Sequence, residues 1–106
     1  MRKAKVYMHN KFAGILEEHL FNQSYFFRYN DDYMEVPISL KMPTQQRIFS
    51  FNRFPPFFEG LLPEGWQLEG LLRNMKIDKQ DYFKQLVTVG QDMVGAVTVE
   101  EIIENE

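Results

Sequence analysis

The sequence contains no cysteine, which excludes disulfides, thiolate metal sites and a thiol nucleophile and accords with a reducing compartment. No stretch approaches the ~20 consecutive apolar residues of a membrane span. The basic start Arg2-Lys3-Ala4-Lys5 leads into no apolar run of secretory length. The expectation is a cytoplasmic protein without membrane contact. Phosphate-binding glycine motifs are also missing: Gly60, Gly65 and Gly70 are separated by bulky residues, whereas a phosphate cradle needs clustered backbone N–H groups with no side chains in the way. Neither H-R-D nor D-F-G occurs. At 106 residues the chain is too short for both lobes of a kinase or a doubly wound cofactor domain. Residues 1–106 are expected to form a single domain with a radius of gyration of about 13 Å.

Histidine is scarce as well. His9 and His19 lie outside any H-x-x-x-H or H-E-x-x-H pattern and read as surface or edge residues, so neither a metal nor a cofactor is expected. Charge is uneven: residues 1–53 carry +3 and residues 54–106 carry −6. The acidic second half repels phosphate backbones, so DNA contact is expected only through another protein. A basic partner surface is easier to accommodate.

Aromatic residues, by contrast, are plentiful, with ten Phe, five Tyr and one Trp. They supply large buried areas to a small core and also dominate interfaces. The first half reads as strands: Val6 and Met8 alternate with Lys5 and Tyr7, a turn at Asn10-Lys11 leads into Phe12–Leu16, and Ser24–Tyr29 is rich in strand formers. After the turn cluster Asn30-Asp31-Asp32, Tyr33–Val36 is expected to pair back. Between Pro37 and Pro43, Ile38, Leu40 and Met42 share one face of a further strand, and Arg47–Phe51 repeats the alternation. In the second half, Phe57–Leu62 fits one helical turn. Leu68, Leu71, Leu72 and Met75 mark an amphipathic helix over 64–75, and Asp78 is a candidate N-cap for another that carries Tyr82, Phe83, Leu86 and Val87 and stops at Gly90. Gly95–Val99 returns to strand propensity, and the acidic segment 100–106 is expected to fray. The fold class is α+β: a small antiparallel sheet or partly closed barrel of five or six short strands, with two α-helices before the last strand.

Glu59 and Glu64 flank Leu61-Leu62-Pro63 and form the only carboxylate pair suggestive of acid–base work. No third residue orients them, and a domain of this size offers no obvious substrate cleft of ~300 Å³. They read as a turn residue and a charge opposing a helix dipole; no catalytic residue is expected. The segment Phe54–Trp66 is sharper, with three Phe, one Trp, three Pro and two Gly in thirteen residues. Proline stiffens it and glycine permits sharp turns. Such a segment either presents large apolar side chains as a preorganised surface or lids the sheet and drops them into the core. On a helical wheel Trp66 falls about 160° from Leu68, opposite the leucine stripe. It therefore either stands exposed as a binding anchor or folds back over Phe57 or Phe58.

Three runs carry a resemblance: Pro37-Ile38-Ser39-Leu40-Lys41-Met42-Pro43, Phe57-Phe58-Glu59-Gly60-Leu61-Leu62-Pro63-Glu64-Gly65-Trp66, and Val89-Gly90-Gln91-Asp92-Met93-Val94-Gly95-Ala96-Val97. In order and spacing they resemble the N-terminal subdomain of HipA-type toxin kinases, from about Lys3 to Val99. That family often has Arg and Cys where Gln91 and Met93 stand, and a small residue at Lys41. The nucleotide loop, catalytic Asp and metal-binding Asp of a HipA-type kinase are not in this sequence. The resemblance is to the free-standing form of the subdomain, the HipS antitoxins of HipB–HipS–HipT systems. It implies a non-enzymatic protein that binds a HipT-like Ser/Thr kinase and inhibits it, in a larger complex with a HipB-like helix-turn-helix protein. The alternative is a structural subunit that completes the fold of a HipA-like kinase and supports its activity. On the antitoxin reading Trp66 is the expected central contact, with Phe57, Phe58, Glu59, Leu62 and Glu64 around it.

Overall fold

A computed structural model describes residues 1–93 and 95–103. The chain forms β1 (Arg2–Met8), β2 (Lys11–Leu20), β3 (Ser24–Tyr29), β4 (Ile48–Phe51), α1 (Pro56–Glu59), α2 (Gly65–Met75), α3 (Tyr82–Val89) and β5 (Val97–Ile102). The strands make one antiparallel sheet in the order β4-β3-β2-β1-β5. It is open, with β4 and β5 at its edges, so the α+β class is realised without barrel closure. The radius of gyration is 13.5 Å.

The β1–β2 turn shows why the chain reverses there. His9 (φ 50°) and Asn10 (φ 67°) are both left-handed, the conformation that a tight hairpin following the sheet twist requires. The turn thus sits one residue earlier than Asn10-Lys11. Strand alternation then sorts the side chains. Ala4, Val6, Leu16, Tyr25, Phe27, Phe49, Val97 and Val99 point to one face and are buried, together with Phe54, Phe58, Phe83 and Leu86 from beyond the sheet. Gly14 and Gly90 are required by close approach. A Cβ at Gly14 would lie 2.1 Å from the Arg28 carbonyl oxygen, and one at Gly90 would lie 2.0 Å from that of Val99. The second approach pins the end of α3 to β5, reinforced by the Val99 N–H donating to the Gly90 carbonyl.

Residues 30–47 depart from expectation. They contain no strand, so Tyr33–Val36 does not pair back, and β3 pairs with β4 across a long loop. Side chains take over the hydrogen bonding that a sheet would have supplied. The Tyr29 hydroxyl donates to the Met42 carbonyl and accepts from the Ile38 N–H, and the Tyr33 hydroxyl donates to the Val36 carbonyl. The Arg47 guanidinium donates to the carbonyls of Asn30, Tyr33 and Thr44. Ile38 and Met42 are consequently buried while Leu40 is 94% exposed, so the three do not share a face.

The helices follow the periodicity with adjusted ends. The one-turn helix is α1, which makes three helices rather than two before the last strand. Asp81, not Asp78, caps α3, and it accepts from the Lys84 N–H. Strand β5 extends through Ile102, so residues 100–102, expected to fray, pair with β1 instead. Ile103 follows the strand and is exposed, and residues 104–106, which complete that expectation, lie outside the described residues.

Two ion-pair groups tie the sheet together. At the far end of the core face, Arg2 donates to both carboxylate oxygens of Glu18 at 2.7 and 2.9 Å and to both of Asp81 at 3.2 and 2.9 Å. Its guanidinium lies 4.9 Å from the Phe83 ring centre, and Glu18 also accepts from the Tyr25 hydroxyl at 2.7 Å. On the opposite face, Glu17 contacts His19 at 2.9 Å and Arg28 at 3.4 Å. Burial pushes the Glu17 carboxyl up, but the His19 hydrogen bond and the Arg28 charge outweigh it and hold the group below the usual 4.5. A depressed carboxyl stabilises the fold above its unfolded pKa, and that stabilisation is lost as pH falls through the folded value. Glu17→Gln is therefore expected to flatten the decline in stability below about pH 4.5, read as urea midpoints across the acid range.

Candidate partner-binding surface

The segment from Phe54 to Trp66 divides its aromatics between core and surface. Phe54 and Phe58 are buried; Phe58 lies 6.0 Å from Phe27 and 5.1 Å from Phe57, ring centre to ring centre. Phe58 therefore supports the segment from beneath and offers a partner no surface. Pro55 and Pro56 start α1, with the Glu59 N–H bonded to the Pro55 carbonyl, and Phe57 is half-buried beside Phe58. Leu62 is also half-buried against the core, its N–H bonded to the Glu59 carbonyl.

Glu59 is exposed and borders a shallow groove of about 230 Å³ together with Arg53 and Tyr82. Glu64 is exposed at the N-cap of α2, without a side-chain cap bond, and Gly65 follows at φ 60°. Open grooves larger than the expected limit do exist, two of them about 480 and 500 Å³, but the residues bordering these two include no carboxylate. Among the described residues no three His, Asp or Glu side chains cluster as a metal site would require.

Trp66 does not fold back over Phe57 or Phe58. It is 79% exposed on the first turn of α2. No residue of α2 is buried; Leu68, Leu71 and Leu72 are half-covered and Met75 is exposed, so the stripe read from the periodicity is only partly used. The helix closes at Lys76, a left-handed residue (φ 54°) whose N–H bonds the Leu72 carbonyl. Next to Trp66 along the chain, Gln67 joins Leu61, Pro63, Val89 and Met93 around a groove of about 350 Å³. Reading from the sequence overlooked Leu61, Pro63, Gln67 and Met93 as surface-forming. The signal was available in the run 89–97, which the fold carries against the run 57–66.

The three similar runs thus meet around α1. Ser39, Lys41 and Met42 share one groove with Phe57, and Val89, Asp92 and Met93 share another with Gly60 and Leu61. Among the described residues no helix is long and apolar enough to cross a membrane.

Comparison with known proteins gives this geometry a family. An uncharacterized protein of Haemophilus influenzae is 36% identical over 101 residues, covering 95% of this chain and 93% of its own length. A protein of Sinorhizobium fredii named "Putative kinase Y4dM" is 35% identical over 83 residues, and the matched part is 20% of that protein. A solved structure described as the N-terminal domain of HipA toxin superposes with a TM-score of 0.78 at 31% identity, covering 99% of this chain and 96% of its own. The family model for the HipA N-terminal domain matches residues 4–100, and the chain belongs to that family.

Proposed function

We propose that this protein is a non-enzymatic antitoxin of the HipS type, which binds a HipT-like Ser/Thr kinase in the cytoplasm and restrains it. The supporting observation is the exposed Trp66, set on a helix with no buried residue and following a proline-stiffened segment. A large rigid aromatic presented in this way loses little rotamer entropy on docking. Phe57, Glu59, Leu62 and Glu64 border it in sequence and supply half-buried apolar and exposed acidic contacts, the latter suited to a basic kinase surface. Phe58 contributes by holding Phe57 in place. A HipB-like helix-turn-helix protein would join the complex and carry its DNA contact, since the acidic second half of this chain disfavours direct binding.

The likeness to a much longer kinase-named protein favours a second reading, in which the domain completes a kinase fold and supports activity. One titration separates the two. Adding the purified protein to a HipT-like kinase is expected to lower its phosphorylation rate in step with binding. A rate that rises supports completion, and failure to associate at micromolar concentration removes both readings.

A further inference from the structure

The edge strand β4 combines three features that the Trp66 surface does not explain. The Tyr29 N–H bonds the Arg47 carbonyl, so by antiparallel alternation Phe49 and Phe51 turn their backbone groups toward β3, and Ile48 and Ser50 turn theirs outward. The Ile48 carbonyl accepts from the Gln46 side-chain amide. Among the described residues, nothing pairs with the Ile48 N–H or with the Ser50 N–H and C=O. A groove of about 480 Å³ runs along the core-face side of this edge, floored by Met42, Phe49, Phe51 and Phe57. A second, of about 500 Å³, lies along it and includes Ser24 and Phe26. An added strand would place alternate side chains on the two sides, as the pleat demands.

Local charge identifies what would fit. From Val36 to Phe58 there is no acidic residue, while Lys41, Arg47 and Arg53 are basic, in a chain whose net charge is −3. Arg47 is committed to loop carbonyls, but Lys41 and Arg53 are exposed and enter no ion pair among the described residues. Lys41 also borders the groove of about 480 Å³. We infer that β4 is a strand-addition site for an extended peptide of a partner protein, one that alternates apolar residues and carries acidic side chains. The ladder bonds supply sequence-independent affinity, the Phe-lined groove selects the apolar positions, and Lys41, which borders that groove, selects an acidic one. A second copy of this chain is the weaker occupant, because joining β4 to the acidic edge of β5 is a head-to-tail contact that propagates without closing.

Selection from a randomised displayed peptide library against the intact protein tests this. The expected winners alternate apolar residues, contain acidic ones, and slow hydrogen exchange at the Ile48 and Ser50 amides. Ser50→Pro removes an outward donor without breaking a β3–β4 bond and should abolish binding. Lys41→Glu, on an exposed side chain, should weaken it about tenfold, with the loss largest at low salt. Winners that are basic or helical, protection confined to other residues, displacement of the peptide by single-stranded DNA, or concentration-dependent self-association abolished by Ser50→Pro would each overturn the proposal. Phe57 is shared with the proposed kinase-binding surface, but Trp66 borders neither groove, so Trp66→Ala should leave peptide binding unchanged.

Discussion

Trp66→Ala is expected to weaken binding to a HipT-like kinase by roughly 30- to 1000-fold, the ~2–4 kcal/mol typical of truncating a central aromatic contact. The melting temperature should stay within a few degrees. The two halves of this expectation have one cause. With 79% of the residue exposed, the indole contributes little packing to the folded domain, so its removal opens no cavity. In a complex the same indole would bury ~150–250 Å², worth about 4–6 kcal/mol before the costs of immobilisation are subtracted. Calorimetric titration and a thermal melt on the same preparation read both quantities. Unchanged affinity would remove Trp66 from the interface, and a melting temperature lowered by ten degrees or more would make it structural. Trp66→Phe should fall between wild type and alanine, because it keeps the ring but loses area and the N–H.

Arg2→Met is expected to cost about 2–3 kcal/mol of stability, between the ~0–1 kcal/mol of a surface pair and the ~3–5 kcal/mol of breaking a buried one. For a domain of this length that is a fall in melting temperature of roughly 10–20 °C. The intermediate figure follows from position. The Arg2 side chain is 30% exposed, while that of Glu18 is 6% exposed, so removing the guanidinium strands a carboxylate that water reaches poorly. It also deprives Asp81 of a partner while Asp81 caps α3. Arg2→Met combined with Glu18→Gln should recover part of the loss, since the remaining amide carries no unpaired charge. Chemical denaturation of the two variants checks this. A loss below 1 kcal/mol for the single variant would show the group to be a solvated surface cluster.

Much of the second half was legible because its signals are local. Leu68, Leu71 and Leu72 declare α2 by spacing alone, and Phe83 and Leu86 declare α3. Tyr25, Phe27 and Tyr29 likewise alternate as β3 does. The failures occur where distant residues overrule local pattern. Pro37–Pro43 alternates like a strand, yet the hydroxyl of Tyr29 fixes Ile38 and Met42 in a loop, a contact that no window around residue 40 contains. Arg2 reads only as one charge of a basic cluster, because its partners Glu18 and Asp81 are brought to it only by the β1–β2 pairing and the docking of α3. At the candidate surface, the direction of Trp66 could be worked out from the helical period. The division of Phe57 from Phe58 could not, since adjacent residues in one helical turn are separated only by what they pack against.

The strand order also governs how the molecule comes to be made. β1, β2 and β3 are joined by short turns and can meet as soon as they leave the ribosome, but Lys3 pairs with Ile102 and Val6 with Val99. During synthesis β1 therefore waits with one flank bare until nearly all the intervening chain has emerged. Non-local closure of this kind slows folding and leaves nascent chains open to mispairing. A ribosome stalled before Val97 would hold a sheet lacking its final strand. Such chains should be the ones that chaperones capture.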